Sequence, residues 1–332
     1  MNKTPHFLTP GTLNGDSAGT PARIAVLIPC LNEEITVGKV IRDFKRVLSN
    51  AVIFVFDNNS TDRTVEIAEE NGARVIREPK PGKGKVIQAM FRKIDADYYL
   101  MVDGDDTYSA DHASELLQPL MDGHADMTVA TRLEEHTGKS FRPLHIFGNN
   151  LVRWLVNWIF SCRLTDIMSG YRAMTAEIVR SVPVLSSGFE VETELTIRVL
   201  DYGYTILEIP VPYRERPQGS FSKLHTFQDG YRVVREIVSI ARGYKPLTFF
   251  GGLGLIFLAF GGIGGIWVVW DYLEDQFVDK VSTAILSIGA ILTGFGSIAL
   301  GVLLNTLSHR FRETTRLIGA VLRRTDTGNE RS

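Results

Sequence analysis

Two stretches of this chain hold no charged side chain: Pro246 to Trp270 and Val281 to Leu307. At ~1.5 Å per residue, either one forms a helix long enough to cross a ~30 Å hydrocarbon layer. A helix in a soluble core rarely runs that far without a charge. The expectation is two transmembrane helices, 246–270 and 281–307. Their glycines, among them Gly261, Gly265 and the Gly251–Gly254 cluster, permit close helix contact in lipid. That contact can be made within one chain or in a homo-oligomer, a dimer or a tetramer. The connecting segment DYLEDQFVDK is acidic. Arg232, Arg235, Arg242 and Lys245 precede the first stretch, and His309, Arg310, Arg312 and Arg316 follow the second. Membrane proteins concentrate positive charge on their cytoplasmic side. The N-terminal part and a basic tail, 308–332, are therefore expected in the cytoplasm, at the inner membrane.

What precedes the apolar runs has room for one domain of ordinary size. The 332-residue chain is 44% hydrophobic and 22% charged, with a formal net charge of −2. This suits a folded protein and argues against one that coats nucleic acid. Cys30 and Cys162, the only cysteines, lack CxxC spacing and a nearby His pair, so reduced thiols are expected rather than a disulfide or a zinc site. Residues 1–21 are rich in Gly, Thr and Pro and lack the apolar core of a secretory signal; they are expected to form a flexible tail. Phe227 to Tyr244 mixes apolar and basic residues at helical spacing. Segment 227–245 is thus expected as an amphipathic juxtamembrane helix drawn to anionic lipid.

Residues 22–226 show the alternation of an α/β domain. ARIAVLIPCL, AVIFVFD, ARVIREP and DYYLMVDGDD are apolar runs suited to strands, separated by helical patterns. Ser60 or Thr61 can cap the helix that ends at Gly72. Such alternation predicts a mostly parallel, Rossmann-like sheet with helices on both faces and ligands at the carboxyl ends of its strands. Polar residues fall at those ends: Asn32 and Glu33, Asp57, and Asp103 to Asp106. In an extended chain Asp103 and Asp105 point the same way, and paired carboxylates suit Mg²⁺ or Mn²⁺, which share oxygen ligands with phosphates. The same acids could instead form a solvated turn ahead of a helix begun by Ser109 and Asp111. Further on, Trp154, Trp158 and Arg153 stand among apolar residues in the run from His145 to Cys162, a pattern that fits either a headgroup-level interfacial helix or a buried core helix.

The ordered motifs IPCLNEE, FDNNSTDRT, GKGKV, MVDGDDTY and DIMSGYRAM resemble family 2 glycosyltransferases of the GT-A fold. With two membrane helices added, the chain resembles the polyprenyl-phosphate and dolichyl-phosphate hexose synthases. That resemblance implies a division of labour. Pro29, Asn32, Glu33, Asp57, Lys83 and Gly84 match the nucleotide pocket, with Asp57 on the base. Asp103 and Asp105 match the metal and nucleotide-sugar motif, Asp105 as the more direct ligand. Relatives often have Gln where this chain has Thr107, so the third metal ligand is either the Thr107 hydroxyl or a water. Asp166, Ser169, Gly170 and Arg172 match the DxxSGxR loop near the sugar, with Glu190 and Glu192 on a helix beside the donor. Arg132, Arg142, Arg216, Ser222 and Lys223 match positions for the acceptor phosphate. Taken singly, Arg142 would be an ordinary surface residue, Glu192 a helix-surface acid, and Ser222 and Lys223 part of a solvated loop.

The implied reaction moves a hexose from a nucleotide-sugar, UDP-glucose first and GDP-mannose next, to polyprenyl phosphate with inversion. A lipid phosphate with a second pKa near ~6 is already ionised at neutral pH. The chemical need is therefore cations that let one anion approach another, which Arg132, Arg142, Arg216 and Lys223 would supply. A divalent ion at Asp105 would stabilise the leaving diphosphate. A processive polysaccharide synthase is the competing function, but it would need more helices and a QxxRW motif, which this chain lacks. A noncatalytic membrane scaffold would have no use for the acidic motif and the basic loop. The product would need a separate flippase, because two helices offer no path across the bilayer.

Overall fold

The computed structural model describes residues 22–133, 143–186, 188, 190–214, 216–217, 239, 242–277 and 280–329. The expected tail 1–21, Arg142, Ser222, Lys223 and most of the expected juxtamembrane helix lie outside the described residues.

Seven strands form one sheet: β1 (Ile24–Cys30), β2 (Val52–Asp57), β3 (Arg74–Arg77), β4 (Tyr98–Met101), β5 (Met127–Leu133), β6 (Arg172–Thr175) and β7 (Ile206–Pro212). Their spatial order is β3-β2-β1-β4-β6-β5-β7. β6 alone runs antiparallel to its neighbours, while β1 pairs in parallel with β2 and β4, and β5 with β7. The expected mostly parallel α/β sheet is present. Both faces are covered, which is why β1 reads as an unbroken apolar run rather than an alternating one. Val26 and Ile28 join the core on one face with α1 (Val37–Val47) and α4 (Ala113–Met121). Ala25 and Leu27 join the other, with α3 (Lys83–Lys93) and α7 (Val191–Asp201). In α1 the buried residues Val37, Val40, Ile41 and Phe44 recur at the spacing of one helix face.

The second helix, α2 (Thr64–Glu70), starts later than the sequence suggests. Asp62 is the residue that serves its first turn, its Oδ1 accepting from Thr64 N at 3.0 Å. Ser60 and Thr61 are drawn away by the end of β1. Asn32 N donates to Ser60 Oγ at 2.9 Å, and Thr61 N donates to Asn32 Oδ1 at 2.7 Å. These bonds hold Asn32 in the left-handed region at φ 53°.

Helix α5 (Pro143–Phe160) buries one side in the domain and exposes the other. Val152, Leu155, Val156 and Ile159 are buried against Leu164, Ile167 and Ile197. Trp154 and Trp158 are exposed on the opposite side, stacked with ring centroids 6.1 Å apart. The short α6 (Ala176–Ser181) follows β6.

The C-terminal helices are α8 (Pro246–Asp275) and α9 (Val281–Asn329). Both contain segments long and apolar enough to cross a membrane, Pro246–Glu274 and Val281–Ser308. α9 continues as helix well beyond Leu307, through most of the expected tail. Glycine sets the closeness of the pair: a Cβ on Gly261 would meet Ser287 O at 2.7 Å, and one on Gly294 would meet Gly254 O at 2.9 Å.

Candidate active site

The polar strand ends form a connected set of side chains. β4 stops at Met101, so Asp103 and Asp105 sit in a turn, and the extended-chain expectation that they point alike does not describe them. The turn sends each acid to its own cation. Asp103 Oδ1 lies 2.6 Å from Lys83 Nζ, and the same ammonium lies 2.5 Å from Glu192 Oε1 on α7. Asp105 Oδ2 lies 2.6 Å from Arg216, while its Oδ1 accepts from the Thr107 hydroxyl at 2.6 Å. Asp106, at φ 59°, turns away to Lys39 on α1 at 2.6 Å. Burial disfavours the charged form of Lys83, but the Asp103 and Glu192 carboxylates outweigh it and hold the ammonium above the ordinary lysine range.

Gly104 is pressed against β1: a Cβ there would lie 2.7 Å from Cys30 Sγ. Thr36, next to α1, donates to Gly104 O at 2.7 Å and pins the turn from the other side. Gly170 lies so close to Asp103 that any Cβ would overlap the carboxylate. The DIMSG segment therefore packs directly on the acidic turn.

Arg132, at the end of β5, places Nε 2.6 Å from Asp166 Oδ2 and NH2 3.0 Å from Asp166 Oδ1, a bidentate pair. Burial would raise the Asp166 carboxyl, but the guanidinium and backbone donors overcome it and hold it below the usual range. Buried Ser169 shares a 3.0 Å hydrogen bond with the Tyr108 hydroxyl. Arg172 is wholly buried behind this segment. It donates to Ser169 O at 2.7 Å, Ile167 O at 2.8 Å and Thr196 Oγ1 at 2.9 Å, so its guanidinium braces the loop from within.

The other expected residues occupy strand ends and loop edges around the same rim. Pro29 is in β1. Buried Glu33 has its N–H bonded to Thr64 Oγ1 at 2.8 Å, and buried Asp57 accepts from Ser60 N at 3.2 Å. Gly84 is buried in the first turn of α3. Glu190 precedes α7 and accepts from Gly188 N at 3.2 Å.

Sequence inspection missed Tyr108 and Tyr213. Tyr213 follows β7, bridges backbone to Tyr108, meets its ring edge-to-face at 5.2 Å and carries the Arg132 guanidinium 5.6 Å above its own. Arg214 N donates to Thr107 O at 2.9 Å. These contacts deliver Arg216 to Asp105. The signal was present in VPYRER, a seventh strand end with the same apolar-to-polar break as the earlier ones.

Among the described residues no three His, Cys, Asp or Glu side chains gather as a ready-made cation site. Asp103 and Asp105 offer hard carboxylate oxygens, and Mg²⁺ or Mn²⁺ can draw its other ligands from a diphosphate and water. In this structure the two carboxylates are each held by a cation, Asp103 by Lys83 and Asp105 by Arg216, and they would be the residues to supply oxygen ligands to such an ion.

Residues 25–178 match the model of glycosyl transferase family 2. Glycosyltransferase AglJ of Haloferax volcanii is 32% identical over 300 residues, covering 90% of this chain and 98% of that protein. A dolichyl-phosphate hexose transferase of the same organism is 31% identical over 218 residues, covering 65% of this chain and 93% of its own. Among solved structures, glucosyl-3-phosphoglycerate synthase from Mycobacterium tuberculosis with Mn²⁺, UDP and phosphoglyceric acid superposes with a TM-score of 0.54. It is 22% identical, over 67% of this chain and 78% of that one. Fold, strand-end acids and near full-length similarity agree: the chain belongs to glycosyl transferase family 2 and is a glycosyltransferase of the GT-A fold.

Proposed function

We propose that this enzyme transfers a hexose from a nucleotide-sugar to the phosphate of a polyprenyl lipid at the cytoplasmic face of the inner membrane. The contact between Arg216 and Asp105 carries this reading. It joins the strand-end acids, suited to the donor diphosphate, to the segment after β7 that leads toward the apolar helices. A cationic group for an acceptor phosphate thus stands at the donor site itself.

In the reaction a lipid phosphate oxygen attacks the anomeric carbon as the bond to the nucleoside diphosphate breaks, and the electron pair leaves on the diphosphate. A single in-line displacement inverts the anomeric configuration. A divalent ion held by Asp103 and Asp105, with Thr107 orienting Asp105, would supply charge neutralisation at the leaving group. Lys83 adds a fixed positive charge beside Asp103. Arg132 and Arg216, with Arg142, Ser222 and Lys223, would orient the acceptor anion and screen it from the donor. Asn32, Glu33, Asp57 and Gly84 would frame the nucleotide. Ser169, Gly170, Glu190 and Glu192 would face the sugar, with Asp166 and Arg172 holding that loop in place.

The platform on α5 supports a lipid acceptor. Lys245, one residue before α8, lies 4.9 Å over the Trp158 ring, and Tyr244 packs on Phe160 at 5.5 Å. The exposed Trp pair therefore sits at the foot of the first apolar helix, where amphipathic aromatics suit the headgroup layer. Gly262, Gly265 and Gly289 face open space and can serve a homo-oligomer contact. A separate flippase would take the product onward.

The test is transfer of label in proteoliposomes containing polyprenyl phosphate, Mg²⁺ or Mn²⁺, and either UDP-glucose or GDP-mannose. Label should enter the lipid fraction from one donor and be lost with chelator or in Asp105→Asn. Undiminished transfer in that variant would rule out Asp105 as the ligand of a catalytic ion.

A further inference from the structure

The loop between β3 and α3 ends on Lys83, the ammonium shared by Asp103 and Glu192. Part of its shape is set locally: Lys80 N donates to Glu78 Oε1 at 3.1 Å, and Asn59 Nδ2 donates to Pro79 O at 3.1 Å. Buried Asn58, just past the end of β2, reaches across the loop with its whole amide. Nδ2 donates to Glu78 O at 2.9 Å and to Lys80 O at 2.8 Å, and Oδ1 accepts from Gly82 N at 2.8 Å. Both amide hydrogens and the carbonyl are used. The reversed amide would set oxygen against two carbonyls and NH₂ against an N–H, so one orientation alone satisfies the site. Asn58 is itself anchored to the sheet, its N–H donating to Cys30 O at 2.9 Å.

The last of these side-chain bonds falls at the start of a helix. Gly82 has φ 117° and ψ 137°, a conformation open to glycine and strained for other residues. Its carbonyl accepts from Lys85 N at 3.0 Å and Val86 N at 3.2 Å, which begins α3. Holding the Gly82 N–H therefore fixes where α3 starts, and with it where Lys83 stands.

We infer that Asn58 is a positioning residue for donor binding: it locks the 78–82 loop so that Lys83 is presented to the donor diphosphate beside Asp103. The inference rests on the donor site proposed above and acts only through Lys83. No carboxylate can replace the amide, because aspartate supplies acceptors where two donors are required.

The experiment compares full-length wild type with Asn58→Ala and Asn58→Asp in detergent, by hydrogen exchange resolved to the 79–84 segment. It adds binding of UDP and of GDP with Mg²⁺, and donor kinetics. Exchange at Gly82 should rise about tenfold or more in both variants, with β1 and β4 unchanged. Binding of the nucleotide that wild type accepts should weaken about tenfold, and donor KM should rise about as much while kcat changes less than about threefold. Gly82→Ala should give the same split by straining the same turn. Unchanged loop exchange, or an increase spread across β1 and β4, overturns the inference, as does a lowered kcat at constant donor KM. Wild type that moves no sugar to polyprenyl phosphate would instead overturn the proposed reaction, while exchange and nucleotide binding still decide the role of Asn58.

Discussion

Replacing Lys83 by methionine keeps most of the side-chain volume and removes the cation that Asp103 and Glu192 share. Their oxygens lie 2.6 and 2.5 Å from Lys83 Nζ, so the two acids are at most roughly 5 Å apart. At an effective dielectric of about 20, two like charges at that distance repel by about 3 kcal/mol. Breaking a buried ion pair from one side costs a similar ~3–5 kcal/mol. Lys83→Met should therefore destabilise the protein by about 3 kcal/mol, or about 6–12 °C in Tm for a domain of this size. The assay is thermal unfolding of the full chain in detergent, followed by intrinsic fluorescence. Adding Glu192→Gln should restore part of the loss, because one of the two facing charges is then gone. The double-mutant cycle should give a coupling of at least about 1.5 kcal/mol. A Lys83→Met protein melting within about 2 °C of wild type, or strictly additive single changes, would refute the triad as an electrostatic unit.

Other consequences follow from the same geometry. Asp166 has its folded pKa held below the ordinary value, so its pairing with Arg132 stabilises the protein above the usual carboxylate range and is lost as pH falls through the lower folded value. Asp166→Asn should cost on the order of 2 kcal/mol at pH 7 and flatten the acid limb of a Tm-against-pH curve below about pH 4. Gly170→Ala places a methyl where the Asp103 carboxylate lies and pushes that acid off Lys83; donor KM should rise about tenfold and Tm should fall by several degrees, on the order of 2 kcal/mol, as steady-state kinetics and melting will show. In the apolar helices Gly261→Leu meets the backbone of Ser287, whereas Gly262→Leu meets open space. The first should lower the detergent melting temperature by several degrees, on the order of 2 kcal/mol, and the second should lower it by less than half as much.

β1, β2 and β4 were legible in the sequence because they are apolar runs largely buried between helices, whereas β5, β6 and β7, with polar residues among the apolar ones, did not stand out as strands. The rim was legible because each of those runs stops on a polar residue. Local pattern could not show which acid faces which base. Asp103, Asp105 and Asp106 are near neighbours in sequence, yet one meets Lys83, one Arg216 and one Lys39. That division comes from the turn after Met101 and the left-handed Asp106, which an extended-strand picture cannot supply. The start of α2 was misplaced for a related reason. Ser60 and Thr61 are good caps in isolation, but Asn32, far away in the chain, claims them both. Arg172 carries a motif position yet is buried, and only packing distinguishes a brace from a residue at the rim. Tyr108 and Tyr213 were missed because an aromatic in a strand-end loop looks like core until its partner is known.

Whether the acceptor is a lipid phosphate is decided most directly by the mass of the product. Proteoliposomes containing the enzyme, polyprenyl phosphate and the preferred nucleotide-sugar would be extracted and their lipids analysed by mass spectrometry, beside matched vesicles with unphosphorylated polyprenol. A lipid-phosphate acceptor predicts a species heavier than polyprenyl phosphate by one hexose, only in the phosphate vesicles, with the sugar released by mild acid. Hexose on the unphosphorylated alcohol, or consumption of the nucleotide-sugar with no hexosyl lipid formed, would contradict it.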